Sequence, residues 1–138
     1  MDYSTQKKIR NVLSNLSFKK LAEKDFNLAS SYYLTNCADK IYVKINVENN
    51  KIVDVSWNGD GCSIAYLSAE LIARLIYQKD LNDAKKWLED LKNFALNKKE
   101  NLAKGEIFDL FQFLKDHPIR KRCLLVATSS YLIELNKF

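Results

Sequence analysis

The periodicity of this chain predicts an α+β fold, with an antiparallel hairpin, one further strand and several α-helices. Three observations carry that expectation. Residues 40 to 57 alternate apolar and polar side chains on either side of an Asn49-Asn50 pair, the pattern of a hairpin with one buried face. From about residue 63 the apolar period changes to that of a helix and stays there. The strands precede the main helices instead of alternating with them, which argues against crossover units and a parallel sheet.

The elements follow in order. Ile9, Val12, Leu13, Leu16 and Leu21 form a helical stripe over residues 3 to 22. Residues 26 to 35 are rich in aromatic and small side chains and read as a strand. Over residues 40 to 48, Ile41, Val43, Ile45 and Val47 point one way, and Tyr42, Lys44, Asn46 and Glu48 the other. Asparagine tolerates positive φ, so Asn49-Asn50 makes a tight turn. Residues 51 to 57 then alternate through Val53, Val55 and Trp57. Ile64, Leu67, Leu71, Ile72, Leu75 and Ile76 mark a helix with a wide apolar face. Residues 81 to 96 make another, carrying Trp87, Leu88, Leu91 and Ala95. A polar connector, 97 to 104, ends at Gly105, and Phe108, Phe111, Phe113 and Leu114 mark a short helix. Pro118 suits the first turn of a last helix, with Leu124, Leu125, Thr128, Leu132 and Leu135 as its stripe.

With 138 residues and 47% hydrophobic content, residues 1–138 read as one domain that can bury a core without disulfides. The start, Met1 to Gln6, is polar with no apolar h-region after it. No apolar run approaches the ~18 residues that span a membrane. A cytoplasmic location and no membrane partner are therefore expected. The net charge is +5. Its lysines come in scattered pairs (Lys7-Lys8, Lys19-Lys20, Lys85-Lys86, Lys98-Lys99) among Asn, Asp and Glu. That is the pattern of a solvated surface, and it argues against nucleic acid as a partner.

Three cysteines, Cys37, Cys62 and Cys123, carry the chemistry. In a reducing compartment an odd number of thiols reads as a metal or catalytic set rather than a disulfide framework. Each stands where a loop meets an element. Cys37 and Asp39 precede the hairpin, and Cys62 follows Gly59-Asp60-Gly61 at a helix start. Cys123 is placed in the first turn of the last helix. The two ends of a hairpin lie about 4.8 Å apart, so Cys37, Asp39 and Cys62 are brought to one sheet edge. Two helix N-termini then face the same spot and favour thiolate there. Three thiolates and one carboxylate complete a tetrahedral set for a thiophilic metal. They carry more negative charge than a divalent ion cancels, and Arg120, Lys121 and Arg122 would offset the remainder. Gly59 and Gly61 allow a close backbone approach. Any one cysteine alone would read as a small buried hydrophobe; the joint placement favours a metal or sulfur site. His117, the only histidine, reads as a helix-boundary residue before Pro118. Trp57 and Trp87 read as core.

Cys37-x-Asp39, Gly59-x-Gly61-Cys62-Ser63-Ile64 and Pro118-x-Arg120-x-x-Cys123, in that order, resemble the iron-sulfur cluster assembly family of IscU, SufU and the N-terminal domain of NifU. The likeness spans about residues 30 to 130 and leans to the SufU branch. The stretch from Cys62 to Cys123 is long, and Arg122 stands where IscU proteins have His. Three departures stand out. Ala38 replaces the usual Gly. The small-residue run after the second cysteine reads Tyr66-Leu67-Ser68-Ala69-Glu70. Asn15-Leu16-Ser17-Phe18 stands near where the family has His-Tyr-x-x-Pro.

The resemblance implies the three-stranded sheet with helices packed on it. It implies zinc held by Cys37, Asp39, Cys62 and Cys123, with Arg120 beside them. It implies that Cys37 accepts persulfide sulfur from a pyridoxal-phosphate-dependent cysteine desulfurase of the SufS type and serves downstream assembly or apo-acceptor proteins. Such a protein is sulfurtransferase-like rather than a classical enzyme. Two alternatives stay open. One is a scaffold on which a 2Fe-2S cluster forms on Cys37, Cys62 and Cys123. The other is a structural zinc domain that binds protein or nucleic acid, against which the absence of paired C-x-x-C knuckles speaks.

Overall fold

The computed structural model describes residues 2–34 and 37–138. The chain folds as an α+β protein. Its sheet has three antiparallel strands in the order β1 (Ser30–Ser31), β2 (Lys40–Glu48), β3 (Lys51–Asp60). Among the described residues, five α-helices accompany it: α1 (Tyr3–Leu13), α2 (Ser63–Ile76), α3 (Leu81–Ala95), α4 (Glu106–Gln112) and α5 (Pro118–Leu135). Helices α2 and α5 cover the sheet; α3 packs on α5, and α1 and α4 pack on α2. Among the described residues, no helix is long and apolar enough to cross a membrane.

The hairpin forms as its pattern predicts. Asn49 and Asn50 take φ of +52° and +62°, the conformation of a type I′ turn. Ile41, Val43 and Ile45 are buried beneath the helices. One residue of the pattern shifts. The pairing slips between Asn46 and Val47, so that Val47 faces Ile52. That bulge turns Ile52, not Val53, onto the core face: Ile52 is buried and Val53 half-buried. An extra residue in one strand reverses which side chains face inward beyond it.

The first helix is shorter than the stripe over residues 3 to 22 suggests. Asp2 caps α1 by accepting from the Thr5 amide at 2.7 Å, but the helix stops at Leu13. Glu70 of α2 explains the stop. Its carboxylate accepts from Ser17 Oγ at 3.3 Å and from the Phe18 amide at 3.1 Å. The chain then runs along β3, with Trp57 N donating to Phe18 O and Leu21 N to Trp57 O. Leu21 is buried, but by this extended segment rather than by a helix.

The strand expected over residues 26 to 35 is also reduced. A 3-10 turn occupies Glu23–Leu28, and among the described residues only Ser30 and Ser31 pair with β2 as a strand; Thr35 lies outside the described residues. Because β1 begins only at Ser30, and the 3-10 turn holds Leu28 where a strand residue would face Ile45, the Ile45 amide has no strand partner there. Glu134 of α5 accepts from it at 2.8 Å, and from Ser30 Oγ at 2.8 Å. The stripe on α5 is likewise wider than predicted. Every residue from Val126 to Leu132 is buried, because sheet, α2 and α3 surround this helix.

Candidate metal centre

Strand pairing puts Lys40 opposite Asp60 at the open end of the hairpin. Asp39 therefore lies beside the Gly61-Cys62 segment that leads into α2. A Cβ on Gly61 would stand 2.7 Å from Asp39 Oδ1, so the missing side chain is the space the carboxylate occupies. Gly59 has φ +154°, and a Cβ there would run into the Lys40 carbonyl oxygen. Both glycines thus let the two chain segments touch.

Cys62 is the N-cap of α2, yet its side chain makes no capping bond. A serine or aspartate there would turn back onto the helix amides. The Cys62 thiol instead lies 3.2 Å from Cys123 Sγ and 3.8 Å from Asp39 Oδ2. The Cys62 amide donates to Asp39 Oδ1 at 3.0 Å. Ligand atoms of Asp39, Cys62 and Cys123 all fall within 4.8 Å of one another. Two soft sulfurs and one carboxylate at such spacing suit a thiophilic divalent ion. Cys123 lies in the second turn of α5, not the first, since Pro118 opens that helix. One helix N-terminus, that of α2, therefore faces the cluster directly.

Cys37 is not in that group of three. It is half-buried at the edge of the core, and its amide donates to Leu34 O at 3.1 Å. Burial pushes its thiol above the ordinary value; the Asp39 amide pulls it back, and the Asp39 carboxylate and Cys62 add smaller upward pushes. The Cys123 thiol is pushed well up, first by burial and then by Asp39 and Cys62. In both, burial is the larger cause, and the neighbouring carboxylate and thiol add to it. Positive charge placed among them reverses the sign and holds the sulfurs as thiolates.

The basic run before Cys123 divides. Arg120 and Arg122 are exposed, and Arg120 stands one turn from Cys123 on the same face. Lys121 does not offset the charge of the cluster, as its place in the run suggested. It is buried, and its Nζ donates to Asn97 Oδ1 at 2.7 Å, away from the thiols. On a helix, side chains two positions apart point to nearly opposite sides. His117 is exposed at the N-terminal boundary of α5, its ring beside that of Phe113. Trp57 is core, with Nε1 donating to Glu70 at 3.1 Å, and Trp87 packs half-buried against the core.

Fold and cluster together define a class: small α+β proteins that present two cysteines and an aspartate, a candidate metal site, at the open end of a hairpin. The chain belongs to the NifU-like N-terminal domain family, whose pattern matches residues 7–112. That stretch contains Cys37, Asp39 and Cys62, with Cys123 beyond it. The chain is similar to the iron-sulfur cluster assembly scaffold protein IscU of Thermotoga maritima, 24% identical over 99% of this chain and 89% of that protein. It is also similar to an uncharacterised protein of Mycoplasma pneumoniae, 22% identical over 100% and 99% of the two chains.

Solved structures share its fold. One is a putative iron-sulfur cluster assembly scaffold protein for the SUF system from Fervidobacterium islandicum, with TM-score 0.76, 23% identity and coverage of 92% and 93%. Another is the N-terminal part of a nitrogen-fixing NifU-like protein from Brucella abortus, with TM-score 0.76, 14% identity and coverage of 95% and 91%.

Proposed function

We propose that this protein serves iron-sulfur cluster assembly as a zinc-bound sulfur acceptor, taking persulfide sulfur from a cysteine desulfurase. The observation that carries the reading is the division among the thiols. Asp39, Cys62 and Cys123 converge on one point, while Cys37 stands beside them. Asp39, Cys62 and Cys123 would hold zinc, with Cys37 as the fourth ligand at rest. Zinc there would keep its ligand sulfurs as thiolates and tie the hairpin to α2 and α5.

The transfer is a thiol exchange. The Cys37 thiolate attacks the terminal sulfur of the persulfide on the desulfurase. A bond forms between Cys37 Sγ and that sulfur, and the sulfur-sulfur bond within the partner's persulfide breaks. The partner's cysteine leaves as thiolate, taking over the negative charge that Cys37 carried, so no electrons are gained or lost overall. Arg120, exposed one turn from Cys123, balances the negative charge of the loaded persulfide.

The test is incubation with a pyridoxal-phosphate-dependent desulfurase of the SufS type and cysteine, followed by mass spectrometry under non-reducing conditions. Wild-type protein is expected to gain sulfur on Cys37. Cys37→Ala is expected to keep its circular-dichroism spectrum and gain none; full loading of that variant overturns the assignment. A second reading, a scaffold on which a 2Fe-2S cluster is built for downstream acceptors, draws support from the likeness to the Thermotoga scaffold. Anaerobic elemental analysis separates the two. About one zinc per chain and no colour favours the relay; iron with sulfide and visible absorbance favours the scaffold.

A further inference from the structure

We propose that Lys121 is a positioning residue for the metal centre: its buried ammonium fastens the first turns of α5 to the C-terminal end of α3, and so sets where Cys123 stands. The inference rests on the metal reading above and names a residue outside the ligand set.

The start of α5 has little else to hold it. From Lys115 to Arg122, Lys121 is the only buried residue. Pro118 and Arg120 are exposed, and Ile119 is 78% exposed. The next fully buried side chain is Leu124, beyond Cys123. Lys121 itself is 4% exposed. Its Nζ lies 2.7 Å from Asn97 Oδ1 and 4.5 Å from the centroid of the Phe94 ring.

Both partners belong to the end of α3. Asn97 closes that helix in a left-handed conformation, φ +62°, its amide donating to Phe94 O. The last carbonyls of a helix carry partial negative charge, which favours an ammonium there. A cation over an aromatic face adds to that attraction. Lys121 and Cys123 point to nearly opposite sides of α5. An anchor on the α3 side therefore sets the rotation of the turn that presents the thiol to Cys62.

This geometry separates positioning from bulk stability. A buried charge replaced by an apolar side chain of similar size is often neutral or stabilising for the fold. Lys121→Met keeps the stem against Phe94 and removes the bond to Asn97. Asn97→Gly keeps the left-handed backbone, which glycine adopts freely, and removes the acceptor.

The experiment measures zinc affinity by chelator competition, the alkylation rate of Cys123 in zinc-free protein by peptide mass spectrometry, and the melting temperature of zinc-free protein. Lys121→Met is expected to weaken zinc about tenfold, the usual scale for residues that orient ligands. It is expected to raise the Cys123 alkylation rate severalfold without lowering the melting temperature. Asn97→Gly is expected to act the same way, and the double variant to be no worse than Lys121→Met alone. Unchanged affinity and alkylation in Lys121→Met overturn the proposal. So does a melting temperature that falls in step with affinity in both variants, which marks a purely structural role. If wild-type protein binds no zinc, the metal reading fails, and the alkylation rates alone decide on Lys121.

Discussion

Glu70 and Asp39 are both carboxylates set against α2, and they are used in opposite ways. Glu70 is fully buried and saturated: Ser17 Oγ, the Phe18 amide, Trp57 Nε1 and Arg74 Nε all donate to it, the last at 3.0 Å. Asp39 is half-buried, accepts the Cys62 amide, and otherwise faces thiols. A carboxylate whose lone pairs are taken by fixed donors is a structural joint. One that keeps lone pairs directed at sulfur has capacity left for a cation. The contrast separates the middle of α2 from its N-terminal end: the middle ties the amino-terminal segment to β3, and the N-terminal end is open to chemistry.

The largest expected effect lies at the saturated carboxylate. Glu70→Ala strands the Trp57 ring N–H and the Phe18 amide without their acceptor and leaves the Arg74 guanidinium with the Asn15 carbonyl. Removing one member of such a buried set costs about 3–5 kcal/mol. Equilibrium urea unfolding of the zinc-free protein checks it. A loss under about 1 kcal/mol means that water replaces the carboxylate at little cost, and the contrast with Asp39 collapses.

At the open end the order of effects inverts. Cys62 is exposed and Cys123 half-buried. Cys62→Ala and Cys123→Ala are therefore expected to leave zinc-free stability within about 1 kcal/mol of wild type, while bound zinc disappears from elemental analysis. Chelator should then lower the melting temperature of wild-type protein and leave that of either variant unchanged. A ligand held at a hundred times its dissociation constant stabilises by about 2.7 kcal/mol, so the wild-type shift is readily seen. Equal zinc content in Cys123→Ala and wild type removes Cys123 from the site.

How far the two regions can be read from sequence differs for the same reason. The open end is assembled by the hairpin, a local element with a strong period-two signal and an Asn-Asn turn. Its closure puts Asp39 and Cys62 together from pattern alone. What pattern missed was long-range and polar. The end of α1 at Leu13, the short β1 and the inward turn of Lys121 all depend on single side chains reaching across the fold: Glu70, Glu134 and Asn97. A signal was present. Glu70 is the only charge between Ser63 and Ala73, and Glu134 the only one between Leu124 and Asn136. A lone carboxylate in an apolar helix is buried with partners or not at all, but sequence does not say which partners. The bulge that moved Ile52 inward shows in the sequence only as two adjacent apolar residues, Ile52 and Val53, between which alternation does not choose.

The smallest expected effect sharpens the contrast within one glycine pair. At Gly61 an added Cβ meets Asp39 Oδ1 at 2.7 Å and Ala65 Cβ at 3.0 Å. The nearer neighbour is the tip of a side chain, which can swing aside. Gly61→Ala should therefore leave the fold within about 1 kcal/mol of wild type but displace the carboxylate proposed as the oxygen ligand. Zinc affinity is expected to fall about tenfold, equivalent to about 1.4 kcal/mol. At Gly59 the added Cβ meets the Lys40 backbone carbonyl at a φ that side chains rarely adopt. Neither can yield without opening the hairpin, so Gly59→Ala should cost stability first. Unfolding curves and zinc titrations of the two variants, run side by side, decide the matter. If Gly61→Ala loses stability and keeps its zinc affinity, the space beneath Asp39 serves packing, and the carboxylate is no ligand.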